Sequence, residues 1–171
     1  TIAPADPYGA TKAVACHFAH IYRNRGRFIA CGYLGNHESP LRQETFVTQK
    51  IARGVKRWKE TGEPFELYNV SGVRDWGWAP EYVEAMHLML QQSKPEDYVI
   101  ATGVEASVLD FLRAAAELPL AVAENGIYAG SGVVCRVANH DDQKAQRCFG
   151  DPAKACERLN WVPMIRWAEI A

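Results

Sequence analysis

The chain has 171 residues, 48% hydrophobic and 23% charged, with 19 basic against 20 acidic side chains. That size suits one globular domain with a real core, and a net charge of -1 supplies no field to draw it to nucleic acid or acidic lipid. No apolar run reaches bilayer length, the first residues lack a leader pattern, and Cys16, Cys31, Cys135, Cys148 and Cys156 form no CxxC pair, so free thiols in a reducing cytoplasm are expected.

Pro7 opens a helical pattern to about Arg25, with Ala10, Ala13, Val14, His17, Phe18 and Ile21 at helical spacing and Gly26 ending it. Phe28 to Leu34 is a short apolar run that predicts a strand buried on both faces, as in a parallel sheet. Gly35 to Thr45, with Pro40, predicts a loop. Phe46 to Thr61 is amphipathic and predicts a helix. Phe65 to Tyr68 alternates like a strand. Pro80 stands where a helix to about Gln92 would begin. Tyr98 to Ala101 predicts another strand. Ser107 and Asp110 have capping-box spacing for a helix to about Leu118. Asp151-Pro152 predicts the start of a helix to Leu159, and a further helical pattern begins near the end. Leu120 to Phe149, broken by Gly126, Gly130, Gly132 and the polar run Asn139–Gln146, reads as irregular. The fold class expected is α/β, a partial Rossmann-like parallel sheet with a small mixed α/β substrate-binding region.

Chemistry concentrates in Tyr8-Gly9-Ala10-Thr11-Lys12. On a helix, residues four apart share a face. A free phenol titrates near pH 10 and is a poor base at neutral pH, but an ammonium beside a phenol favours the phenolate. Such a pair can shuttle a proton beside a hydride-transfer site, and the lysine can also donate to a ribose. A YxxxK match alone is weak, since it also describes an ordinary surface pair. No His, Cys or Asp spacing in the sequence suggests a metal site, so none is expected. Lys50, Arg53, Lys56, Arg57 and Lys59 read as a solvated helix face, and Trp76 and Trp78 as packing.

More blocks follow in order: Asn36-His37-Glu38-Ser39-Pro40-Leu41-Arg42, Phe46-Val47-Thr48-Gln49-Lys50-Ile51, Arg74-Asp75-Trp76-Gly77-Trp78-Ala79, Asp97 to Gly103, Gly150-Asp151-Pro152 and Leu159 to Pro163. Together with Pro7-Tyr8-Gly9-Ala10-Thr11-Lys12 they resemble the C-terminal half of the GDP-mannose 4,6-dehydratases. These are extended short-chain dehydrogenases within the NAD-dependent epimerase/dehydratases. The resemblance implies Tyr8 as catalytic base and Lys12 as its partner on the nicotinamide ribose. It implies that Lys12, Leu34, Asn36, His37 and Arg42 contact NADP. Asn36, Glu38, Val47, Lys50 and Arg74 are implied for the sugar-nucleotide wall. Guanidinium and ammonium donors suit a diphosphate.

The implied reaction is that of a lyase. Hydride leaves C4 of GDP-mannose for NADP, water is lost across C5–C6, and hydride returns to C6 to give GDP-4-keto-6-deoxymannose. Residues 1–36 would be the end of the dinucleotide-binding domain. Residues 37–171 would be the sugar-nucleotide region, with a strand at about 98–101 returning to the first sheet.

Three departures bear on this expectation. No Gly-rich phosphate loop occurs in the chain. The family's Ser/Thr and Glu catalytic partners lie upstream of the tyrosine. The family's Arg-Pro-x-Glu segment reads Asn139 to Lys144 here, with Asp141-Asp142 set to repel a diphosphate. The chain is therefore expected to be inactive alone, and to act as a homo-oligomer or with a complementing N-terminal half. The alternatives are a non-catalytic fragment that binds a nucleotide or partner, and another sugar-nucleotide epimerase or dehydratase of the same superfamily. Neither nucleic acid nor membrane is expected as a partner.

Overall fold

A computed structural model describes residues 3–124, 126–138 and 147–171. Helix α1 (Pro7–Asn24) starts where Asp6, in extended conformation, accepts the Gly9 backbone N–H at 2.6 Å and Pro7 takes the first turn. A proline there loses nothing, because that N–H has no helical partner. The chain continues through β1 (Cys31–Leu34), β2 (Asn36–Glu38), α2 (Val47–Thr61), β3 (Phe65–Leu67), β4 (Val73–Arg74), β5 (Trp76–Trp78) and α3 (Ala79–Leu90). It then forms β6 (Asp97–Ile100), β7 (Ala106–Ser107), α4 (Val108–Ala116), β8 (Ala121–Ala123), β9 (Gly126–Ala129), β10 (Gly132–Val137), β11 (Arg147–Cys148), α5 (Ala153–Leu159) and α6 (Trp167–Ile170).

The strands pair mostly across long sequence distances. β1 and β6 are parallel, in register from Cys31 with Asp97 to Leu34 with Ile100, and Gly35 N–H extends the pairing to the Ile100 carbonyl at 2.8 Å. β2 runs parallel to β5, placing His37 beside Gly77. β4 lies between β11 and β7. β3, β10, β9 and β8 make a four-stranded sheet in that order. The sequence pattern reads 120–149 as irregular, yet β8, β9 and β10 within it pair as an antiparallel meander. Its turn passes through Gly130 at φ +58 and its last strand is bulged between Val133 and Cys135. A bulge breaks the two-residue alternation that marks a strand. β2 and β5 were also invisible to periodicity, because a three-residue strand carries too little of it. Asn139 to Lys144, where the charge departure falls, lies outside the described residues.

Two apolar cores form. One joins Ile51 and Val55 of α2, Phe111 and Leu112 of α4, Trp76 of β5, and Ile127, Val134 and Cys135 of the meander. Fully burying side chains of this size contributes about 1.5–3 kcal/mol each. The other joins Tyr82, Ala85 and Met89 of α3, Tyr98 and Ile100 of β6, and Ala155, Leu159 and Trp161 around α5. The capping box expected at Ser107 is present: Ser107 Oγ accepts the Asp110 N–H at 3.0 Å, and Asp110 Oδ2 accepts the Ser107 N–H at 3.0 Å. The five cysteines are unpaired. No helix among the described residues is long and apolar enough to cross a membrane.

Candidate active site

Helix α1 carries Tyr8, Lys12, Cys16 and His20 at four-residue spacing, which is one stripe of its surface. The stripe is held to the sheet at its far end. His20 Nε2 meets Asp97 Oδ2 at 2.6 Å, and the Arg23 guanidinium pairs with the other oxygen of the same carboxylate. At the near end Lys12 Nζ stands 5.1 Å from the centroid of the Tyr8 ring, within cation–π reach. Tyr8 is 70% exposed, so a ligand can reach its hydroxyl.

Tyr8 and Lys12 border a cleft of about 950 Å³. Its floor is β1, through Gly32 and Leu34, and the turn at Gly35 into His37. Its far wall is the segment Cys148 to Asp151. Gly150 fixes that wall. A Cβ there would stand 2.7 Å from both Ala101 Cβ and Val99 Cγ1, so only glycine lets the segment lie flat on the end of β6.

His37 Nδ1 lies 2.9 Å from the Gly35 carbonyl. A carbonyl can only accept, so Nδ1 carries the proton and Nε2 is the second functional atom. The ring packs on Tyr82, centroids 5.2 Å apart. Tyr82 is fully buried and its hydroxyl has no hydrogen-bond partner. Burial, with Asp75 and Glu81 nearby, pushes its pKa well above that of a free phenol. Tyr82 therefore stays neutral and serves as packing beneath His37.

The other residues expected from sequence fall elsewhere. Asn36 sits on β2 between the lining residues Gly35 and His37. Glu38 turns the opposite way, into a separate hollow of about 220 Å³ that it shares with Ser39, Thr48, Trp78 and Glu169. There it is buried, accepts Thr48 Oγ1 at 2.8 Å and lies 3.4 Å from Arg42 Nε. The Arg42 guanidinium lies 3.6 Å from the centroid of the Phe46 ring. Val47 packs partly against the first core, and Lys50 is exposed on the first turn of α2. Arg74 is half-buried and its guanidinium donates to the Val73 carbonyl at 2.8 Å. The large cleft thus gathers Tyr8, Lys12, Leu34 and His37. The sequence reading did not single out its Cys16, Cys31 and Phe149. Cys16 was within reach, since it lies one turn beyond Lys12 on the same face.

Burial pushes the Glu38 carboxyl above its ordinary value of 4.5, against the opposing pull of Thr48, Arg42 and His37. A raised folded-state pKa means that folding favours the protonated form. That contribution is complete below the unfolded value and is lost as pH rises through the folded one. Glu38→Gln cannot ionise and loses nothing. Relative to wild type, its melting temperature is expected to rise as pH climbs from below the ordinary carboxylate range to above it, read in a series of thermal melts. A difference that stays flat with pH would contradict the burial argument.

Comparison with known proteins bears on the whole chain. The family model described as GDP-mannose 4,6 dehydratase matches residues 1–171. The GDP-mannose 4,6 dehydratase of Drosophila melanogaster is 40% identical over 98% of this chain and 46% of its own length. The human protein of that name is 36% identical over 98% of this chain and 48% of its own length. Among solved structures, RMD from Pseudomonas aeruginosa complexed with NADPH superposes with a TM-score of 0.78 at 18% identity. It covers 98% of this chain and 54% of the other. The dTDP-glucose 4,6-dehydratase of Bacillus anthracis in complex with NAD gives 0.75 at 18% identity, over 98% of this chain and 50% of its own. These likenesses agree with the α/β class read from sequence. The chain spans about half the length of the curated relatives it matches, and it belongs to the GDP-mannose 4,6-dehydratase family.

Proposed function

We propose that this chain is the substrate-binding half of an NADP-dependent GDP-mannose 4,6-dehydratase, with Tyr8 as its proton-transferring group. One observation carries the reading: Tyr8 and Lys12 stand one helical turn apart at the rim of a cleft floored by β1 and His37. The cleft is of a size that takes cofactors. Its apolar floor suits a flat ring, and the Lys12 ammonium suits ribose hydroxyls, so these residues fit the nicotinamide-ribose end of such a cofactor. A bound nicotinamide would supply the hydride acceptor and donor.

The chain's own residues do the rest. The Tyr8 hydroxyl moves the proton at the sugar C4 hydroxyl, and Lys12 holds its ammonium beside the same ring. Leu34, Asn36, His37 and Arg42 would hold the cofactor. Asn36, Glu38, Val47, Lys50 and Arg74 belong to the sugar-nucleotide side. Residues 1–36 and the strand near 98–101 serve the dinucleotide-binding unit, and 37–171 the sugar nucleotide. The upstream acid-base partners would come from outside these 171 residues, as from a complementing N-terminal half. The unpaired thiols fit a reducing cytoplasm.

The test is calorimetric titration of the 171-residue chain with GDP-mannose and with NADP, separately. The expected result is saturable binding of GDP-mannose, retained in Tyr8→Phe. Lys12→Ala is expected to weaken any NADP binding. If neither ligand binds, the reading fails for this chain and a structural, non-binding fragment takes its place.

A further inference from the structure

The stripe on α1 does not stop at the cleft. Two turns beyond Lys12 it delivers His20 to the starts of two neighbouring strands. Cys31 opens β1 and Asp97 opens β6, and the two are register partners in the parallel pair. Partners in register emerge on the same face of a sheet, and here that face is the one α1 covers. His20 Nε2, Cys31 Sγ and an Asp97 carboxylate oxygen all lie within 4.8 Å of one another. Each of the three residues is half-buried, so the cluster is open to ions in solution yet fixed by the fold. It is the one cluster of this kind among the described residues.

We propose that His20, Cys31 and Asp97 form a binding site for zinc or a cation of similar softness, with water as the fourth ligand. The donor set decides the class of ion. Thiolate, imidazole and carboxylate together are the ligands of tetrahedral zinc, whereas magnesium and calcium want oxygen alone. The ligands need only a small adjustment. A cation takes its place between His20 Nε2 and Asp97 Oδ2, replacing their direct bond.

The surroundings support that exchange. Arg23 pairs with the other Asp97 oxygen, Oδ1, and its Nε donates to the Ile29 carbonyl at 2.7 Å. Arg23 is thus tied on two sides and orients the carboxylate as an outer partner, leaving Oδ2 to the metal. Charge balances through the thiol. Cys31 Sγ–H becomes a metal-bound thiolate and its proton goes to solvent, the proton by which His20 Nε2 meets Asp97 leaves that nitrogen through solvent so that the neutral imidazole keeps its proton on Nδ1, and no redox change occurs. The bound cation would pin the last turns of α1 to β1 and β6, and so fix the helix that presents Tyr8 and Lys12.

Sequence spacing gave no sign of this site. The three ligands come from a helix and two strands that are distant in the chain, and no short motif links them. The proposal therefore departs from the expectation that the chain holds no metal.

Cobalt(II) titration of the full 171-residue chain tests it, with no nucleotide present. A thiolate-to-cobalt charge-transfer band is expected at one equivalent and is abolished by competing zinc. Cys31→Ser should remove the band, and His20→Ala should weaken zinc binding at least about tenfold by calorimetry. Cys156→Ser, a half-buried thiol on α5 outside the cleft, should change neither. The wild-type spectrum stands even if a variant folds poorly. The absence of a charge-transfer band in wild type overturns the proposal. So does metal binding that survives both Cys31→Ser and His20→Ala. Because neither NADP nor sugar nucleotide enters the assay, its failure is distinct from failure of the proposed dehydratase role.

Discussion

Replacing Asp75 with alanine is expected to destabilise the chain by about 3–5 kcal/mol and to lower its melting temperature by roughly 10–15 °C. Asp75 is 1% exposed. It is the residue between β4 and β5, where the chain leaves one strand pair for another. Its Oδ1 accepts Thr102 N–H at 2.9 Å and Thr102 Oγ1 at 2.6 Å, and its Oδ2 accepts Gly103 N–H at 2.8 Å. The carboxylate thus gathers the backbone just past β6, at the point where Gly103 turns with φ +73.

Alanine would leave the buried Thr102 N–H and hydroxyl without their acceptor, each at about 1–3 kcal/mol, while the exposed Gly103 loses a hydrogen bond that water can partly replace. Thr102 Oγ1 can turn towards the Val104 carbonyl, 3.4 Å away, which recovers part of the loss. Asp75→Asn separates the two contributions to the effect. It keeps the shape but sets an NH2 group against one of the N–H donors, so it should still destabilise, though less than alanine. Thermal and urea unfolding read both. A loss below about 1 kcal/mol for alanine, the size of an ordinary single hydrogen bond, would show that water or backbone movement replaces the carboxylate.

Asp75 also marks how far the sequence could be read. The block Arg74-Asp75-Trp76-Gly77 could be matched to a family, but nothing in it says that its aspartate binds a loop 27 residues later. The helices among the described residues were largely legible, because 3.6-residue periodicity, Pro7 and the Ser107–Asp110 box are local signals. β1 and β6 were legible as apolar runs. β3 was legible by the alternation of Phe65 to Tyr68; the other strands are two to six residues long, and tertiary pairing creates them rather than local propensity.

The candidate site divides in the same way. Tyr8 and Lys12 are four apart on one helix, so their meeting is written in their spacing. His37 and Glu38 are adjacent on β2, and in a strand neighbours point to opposite faces. One therefore enters the cleft while the other enters the hollow behind it. A motif read as a string cannot show that split. Cys148 to Asp151 reaches the cleft only because β11 pairs with β4, which no local pattern announces.

Gly77→Ala is the second substitution with a large expected effect, and it joins stability to the cleft. A Cβ on Gly77 would stand 2.3 Å from Tyr82 Cε2, 2.7 Å from Cζ and 2.6 Å from the hydroxyl. Tyr82 cannot give way. Its ring is fully buried, faces His37 on one side, and meets Trp161 edge-on at 6.1 Å on another. A Gly-to-Ala change gains about 0.4–1 kcal/mol from the stiffer unfolded chain. Overpacking of this kind costs about 1–3 kcal/mol, occasionally more, and contacts this short belong at the upper end, so the clash wins.

The strain has one route out, through the β2–β5 pair in which Gly77 sits beside His37. Gly77→Ala should therefore shift His37 and weaken ligand binding in the cleft even in the folded fraction. A double-mutant cycle isolates the cause. Tyr82→Leu alone leaves a cavity and is itself destabilising, but in its background the added methyl has room. The cost of Gly77→Ala should then fall by more than about 1 kcal/mol, a coupling typical of residues in direct contact. If the two substitutions prove additive in thermal melts, the Tyr82 ring is not what the glycine accommodates, and the link from β5 through Tyr82 to His37 fails with it.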